Sequence, residues 1–120
     1  MLLKDLKQRY ILNDGQVLNL NCDFSNKQIE ARLSVRKQNG KTIDRCTIDI
    51  IFNEVYEIDL LDNFDVASYS DIVLVKTNAE HFYASFDPYG NSGLPSDNDN
   101  FVIKSHKLSL IDHGKEIMIS

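Results

Sequence analysis

Residues 28 to 52 are two alternating stretches with Asn39-Gly40 between them, and this feature constrains the fold more than any other. Apolar residues at every second position mark a strand with one buried face. Asn-Gly is the preferred pair of a two-residue type I′ hairpin turn, whose central residues both need positive φ. With those two residues as the loop, Leu33 faces Cys46, Ala31 faces Ile48 and Ile29 faces Ile50. Apolar then meets apolar, whereas a slip of one residue would send the same side chains to opposite faces.

Helical spacing occurs once, at the start. Leu2, Leu3, Leu6 and Tyr10 fall near the i, i+3, i+4, i+7 pattern, and Asn13-Asp14-Gly15 reads as the stop that follows. Gln16 to Cys22 reads as a short strand. Val55 to Leu60 alternates again, and a three-residue loop at 53–55 pairs Phe52 with Tyr56, Ile50 with Ile58 and Ile48 with Leu60. Residues 61–70 are a polar interruption with a short helical turn expected around Asn63 to Val66. Asp71 to Thr77 and Glu80 to Phe86 form a second hairpin around Asn78-Ala79, with Val75 facing Phe82 and Val73 facing Ala84. Ile72, Leu74 and Tyr83 make its other face apolar too, which suits a hairpin covered on both sides. Residues 87–100 contain both prolines and read as a long surface loop. A last strand runs from Phe101 to about Ile111 with a bulge near Ser105-His106, and Glu116 to Ile119 adds a short one.

A chain of 120 residues suits one domain. Thirteen aspartates and eleven asparagines, against five glutamates, favour turns over helix interiors. The fold class that follows is α+β and mostly β: an N-terminal helix and a six- to eight-stranded antiparallel meander, as a twisted sheet, sandwich or open barrel. No apolar run is long enough to span a bilayer, and the start lacks the apolar core of a secretory signal. The expectation is a cytoplasmic protein that does not engage membrane.

Catalytic patterns fail on inspection. There is no GxSxG elbow, and Cys22 and Cys46 read as reduced core thiols. His81, His106 and His113 are not at ligand spacing from one another or from a cysteine, so no metal site is read. Asp97-Asn98-Asp99-Asn100 opens like a calcium loop, but Phe101, Val102 and Leu108 stand where an oxygen ligand, Gly and Glu are needed. The plain reading is a solvated turn whose short side chains cap backbone amides. Gly90 to Gly93 precedes a strand and not a helix, so it is no phosphate loop. The expectation is a non-enzyme without a cofactor.

Charge is segregated along the chain. Residues 27–45 hold six basic residues against two acidic, and residues 57–99 hold nine acidic residues against Lys76 alone. The net charge of −5 argues against nucleic acid as a partner. In the hairpin register Arg32, Arg36 and Arg45 lie on the polar face, as a solvated basic stripe. The acidic half, interspersed with aromatics, suits a basic protein partner, with acids steering the encounter and aromatics anchoring it. The contact residues expected there are Asp62, Asp65, Tyr69, Asp71, Asp87 and Tyr89.

The segments YSDIVLV (69–75), SFDPY (85–89) and DNDNFVIK (97–104) resemble small bacterial proteins, among them immunity proteins encoded beside polymorphic or contact-dependent toxins. That resemblance implies a cytoplasmic protein without catalysis that binds one cognate toxin domain and blocks its active site. It implies no particular fold, because immunity proteins span many. The alternative from the residues alone is a small-ligand domain using the concave apolar side of a curled sheet. An exposed edge strand would also allow a homodimer by sheet extension.

Overall fold

The structure, a computed structural model, describes residues 1–64, 69–77 and 80–120. Among these residues one helix, α1 (Leu3–Arg9), precedes eight antiparallel strands: β1 (Tyr10–Asp23), β2 (Gln28–Asn39), β3 (Thr42–Leu60), β4 (Tyr69–Ser70), β5 (Val73–Lys76), β6 (Phe82–Ser85), β7 (Phe101–Asp112) and β8 (Lys115–Ile119). Their order is β4-β1-β2-β3-β7-β6-β5, with β8 on β7. The fold is α+β and mostly β, a curled half-barrel.

The helix buries Leu3 and Leu6 but stops at Arg9, and Tyr10 is already extended. Asn13-Asp14-Gly15, expected as the helix stop, is instead a bulge inside β1. Between the pairs Ile11↔Arg36 and Gln16↔Ser34, β1 advances five residues and β2 only two. Asp14 takes φ +57 there, a conformation that Asn and Asp tolerate better than other side chains.

The β2–β3 hairpin forms, in a register two residues from the expected one. Asn39 pairs with Thr42, Leu33 with Ile48, Ala31 with Ile50 and Ile29 with Phe52. The loop is Gly40-Lys41, and of the two only Gly40 has positive φ, the pattern of a type II′ turn with Gly first. A shift of two preserves the inward set, which is why alternation alone could not detect it.

The loop expected at 53–55 does not exist, because β3 runs straight through it. Glu54 takes φ +54, and between Val55↔Ser105 and Glu57↔Lys104 β3 carries one extra residue, Tyr56. A bulge changes which side chains point inward without reversing the chain, so it mimics the pattern break of a turn. β3 therefore pairs with β7 over residues 49–60 and not with a strand of its own making. The irregularity expected near Ser105-His106 lies at this place, with the extra residue on β3.

The β5–β6 register is one residue from that expected: Val73 pairs with Ser85, Leu74 with Ala84 and Val75 with Tyr83. Asn78-Ala79, the expected turn, lies outside the described residues, as do Asp65 and Val66 of the expected helical turn. Glu80 has φ +63, its amide donates to the Thr77 carbonyl at 2.9 Å, and the Thr77 amide donates to the His81 carbonyl at 2.7 Å. This sheet segment is apolar on both faces, as the sequence suggested, so alternation could not select between registers. One face joins the main core through Ile72, Leu74, Phe82 and Ala84. The other forms a small second core of Val73, Tyr83 and Val102.

β8 forms where expected, and His113 and Gly114, both with positive φ, make its turn. The chain start then extends the sheet. The Leu3 amide donates to the Ser120 carbonyl and the Ser120 amide to Met1, both at 2.9 Å, covering the outer edge of β8.

The two ends of the sheet come together at residues 69–76. β4 ends at Ser70 on one side and β5 begins at Val73 on the other. Three virtual bonds span at most about 11 Å, so the sheet must curl until its ends are neighbours. Gly15 makes this close approach possible. A Cβ there would stand 2.9 Å from Ile72 Cδ1 and 3.0 Å from the Leu12 carbonyl oxygen.

Candidate docking surface and seam cleft

The 87–100 loop folds over the second core and is pinned from within by Asp99, which is only 2% exposed. Its carboxylate accepts from the Tyr83 hydroxyl at 2.5 Å, the Tyr89 amide at 2.8 Å and the Ser96 amide at 3.1 Å. Burial, and then this bond to a carboxylate, push the Tyr83 phenol well above its ordinary range. The capping role expected for this tetrapeptide holds for Asp99, but the residue is buried and not solvated.

Asn100 ties the same loop to the end of β3. Its Oδ1 accepts from the Asp62 amide at 2.6 Å, while its Nδ2 donates to the Asn63 carbonyl at 2.9 Å and to Asp87 Oδ2 at 2.8 Å. Asp62 and Asp87 are thereby brought to one place although 25 residues separate them in sequence. Ser70 Oγ donates to the Phe86 carbonyl at 2.8 Å, which sets Tyr69 and Asp71 on the neighbouring segment.

Five of the six expected contact residues can therefore be placed, and Asp65 lies outside the described residues. Asp62 and Tyr89 are exposed, Tyr89 at 68% although its backbone amide is held by Asp99. Asp87 is half-buried by its bond to Asn100. Asp71 turns toward β1, accepting from the Asp14 amide at 2.9 Å. Tyr69 is exposed and lies under Arg45, whose guanidinium carbon is 5.7 Å from the ring centre. Leu94, exposed at the loop tip, adds an apolar contact that the sequence reading did not single out.

Across the seam from this loop, residues 10–13 of β1 and 71–74 around the start of β5 flank a cleft of about 390 Å³, with Gly90 to Gly93 along its rim. The concave face of the sheet is filled by the core itself, including Phe52, Phe86, Leu108 and Leu110. The seam cleft is thus a surface hollow outside this core, as is a shallower one of about 530 Å³ beside α1 at Met1, Asp5, Gln8, Arg9 and Gln38.

The basic stripe is largely engaged by the protein. Arg32 pairs with Asp49 at 2.9 Å. Arg36 donates to the Asn13 carbonyl, and Arg45 to those of Ser34 and Asp14, so two arginines hold the carbonyls released by the β1 bulge. The acidic half is not compensated in this way. Among the described residues, Glu57 is the only acid between 57 and 99 in an ion pair, with Lys104 at 2.5 Å.

Tyr10 of β1 and Lys37 of β2 both bond Asp112 of β7, Lys37 at 2.8 Å. Burial acts to raise the Asp112 carboxyl, but the bonds from Lys37 and Tyr10 outweigh it and hold the group below the usual carboxylate range. Cys46 packs against the main core beside this cluster but is only half-buried, short of the burial expected, whereas Cys22 is exposed and not a core residue, because the end of β1 projects beyond the packed face.

No family model, no curated protein and no solved structure matches the chain. Its geometry alone carries the functional argument. Among the described residues no helix is long and apolar enough to cross a membrane, and no three His, Cys, Asp or Glu side chains gather at metal-holding distance.

Proposed function

We propose that the chain is a non-enzymatic bacterial protein-binding domain of the cytoplasm, an immunity protein that occludes a basic toxin domain through its acidic surface. The observation that carries this reading is a set of carboxylates without ion-pair partners, two of them on the pinned 87–100 loop and two on the segments tied to it through Asn100 and Ser70. Asp62, Asp71, Asp87 and Asp97 form no ion pair among the described residues, and Tyr89 and Leu94 are exposed on the loop that carries Asp87 and Asp97. Unpaired surface acids raise the rate of encounter with a basic partner, and exposed aromatic and apolar side chains supply the short-range anchors. A loop already ordered by Asp99 loses little conformational entropy on docking.

The test is a tagged capture from the source cells at low salt with mass spectrometry, repeated with an Asp62→Lys/Asp97→Lys variant of unchanged circular dichroism. One basic protein should be retained, released as salt rises, and lost from the variant. Retention by the variant at the wild-type level would count against this surface.

A further inference from the structure

Three residues remote in sequence meet on the outer face of the sheet. Phe82 of β6 pairs with Ser105 of β7, and continuing that register by one residue sets His81 opposite His106. Side chains directly opposed on antiparallel strands have Cβ atoms about 5 Å apart. Here the two imidazole rings touch edge to face, with centres 4.1 Å apart. Tyr56, the extra residue of the β3 bulge, stacks against both, 5.1 Å from His81 and 4.7 Å from His106. Its hydroxyl lies 3.2 Å from His81 Nδ1.

We infer that His81 and His106 form a two-imidazole clamp for a divalent late first-row transition ion, copper(II), nickel(II) or zinc(II), with Tyr56 as its positioning residue. Neutral imidazole is the protein ligand these ions share, and water completes the coordination of a site with two protein donors. When His81 Nδ1 carries the proton and donates it to the Tyr56 oxygen, Nε2 keeps a free lone pair. Imidazole ligands are commonly oriented by such a bond from the second ring nitrogen. His106 is exposed and makes no hydrogen bond through its ring among the described residues, so neither of its nitrogens is committed to a protein partner. The bulge at Tyr56 is what brings the third side chain over the pair, and cross-strand pairing supplies the closeness that sequence spacing lacks.

The experiment is a calorimetric titration of the full chain with copper(II), nickel(II) and zinc(II) chlorides at neutral pH, using circular dichroism to confirm the fold of each variant. One ion should bind per chain, copper tightest, and binding should weaken on acidification because proton and ion compete for the same lone pair. His81→Ala and His106→Ala should each lower the affinity about tenfold or more, and Tyr56→Phe, which keeps the stack but loses the hydroxyl, about tenfold. His113→Ala, on the far turn, should bind as the wild type does. Wild-type affinity in either the His81 or the His106 variant overturns the clamp, and so does an unliganded wild type at millimolar ion. Wild-type affinity in Tyr56→Phe overturns the positioning role.

Discussion

Tyr83 donates its phenolic hydrogen to Asp99 at 2.5 Å, and that bond fastens the 87–100 loop to the outer face of β6. Asp99 also accepts from two backbone amides of the loop, so removing it leaves three donors without their partner. Asp99→Ala should cost about 2–4 kcal/mol, given the desolvation cost of unsatisfied buried groups. Tyr83→Phe should cost about 1–2 kcal/mol, because the two amides keep their acceptor. Hydrogen exchange would separate the cases. Loop amides from Tyr89 to Asp99 should lose protection in the alanine variant well before those of β7 do, and equal loss in both regions would show that the loop is not a separate unit.

The buried phenols give the fold an alkaline limit. Tyr10 and Tyr83 are both pushed well above the ordinary tyrosine range, first by burial and then by bonds to Asp112 and Asp99 respectively. A group whose value is raised on folding contributes stability that is full below its unfolded value, about 10 for tyrosine, and is lost as pH rises toward the folded value. Chemical denaturation should therefore give falling stability from about pH 10 upward. Phenolate absorbance should show two of the five tyrosines titrating late, together with unfolding. Five tyrosines ionising in one ordinary step would contradict the two buried bonds.

Asp112 sets the corresponding acid limit, with the opposite sign. Its carboxyl is held low in the fold, so its contribution is full above the unfolded value, about 4, and disappears as pH falls through the folded one. Asp112→Asn should flatten this part of the acid slope between about pH 4 and 2. Near neutral pH it should cost about 2–4 kcal/mol, since Lys37 loses a largely buried partner. Urea denaturation across that range measures both effects. A slope identical to that of the wild type would remove Asp112 from the account.

Strand content and the inward-facing set of β2 and β3 were legible because period-two alternation reports burial directly. Registers were less so. A two-residue shift at Gly40-Lys41 leaves every face unchanged, and the β5–β6 segment is apolar on both faces, so neither pattern distinguishes the true pairing. Bulges at Asp14 and Glu54 were read as a helix stop and a turn, since all three interrupt the alternation. Of the site, the acidic bias was visible in composition, but the roles of Asp99 and Asn100 were not. Those roles depend on side chains of β6 and of the segment after β3 that meet the loop only once the sheet is closed. His81 and His106 likewise become neighbours through the register of β6 on β7.

The turn offers a direct test of that register. Asn39 is the last paired residue of β2, and Gly40 carries the positive φ. Asn39→Thr should therefore change stability by less than about 0.5 kcal/mol, as is usual for exposed substitutions away from special backbone. Gly40→Ala should cost about 1–2 kcal/mol, the penalty for a side chain in the left-handed region. Thermal unfolding of the two variants decides the matter. Comparable losses at both positions would point back to an Asn39-Gly40 turn.

Closure of the half-barrel at Gly15 can be tested by a double-mutant cycle. An alanine Cβ there meets Ile72 Cδ1 at 2.9 Å and the Leu12 carbonyl oxygen at 3.0 Å, and only the first of these belongs to a flexible side chain. Gly15→Ala should cost about 1–3 kcal/mol, the usual range for overpacking. Ile72→Val deletes the Cδ1 atom, and alone it should cost about 1 kcal/mol as a lost buried methylene. In the double variant the clash with Ile72 is gone, whereas that with the Leu12 carbonyl remains. The losses should then sum to less than the two single values by about 0.5–1 kcal/mol, the coupling expected of side chains in contact. Strict additivity would mean that the backbone at Leu12, and not packing against Ile72, limits how closely β1 approaches the segment joining β4 to β5.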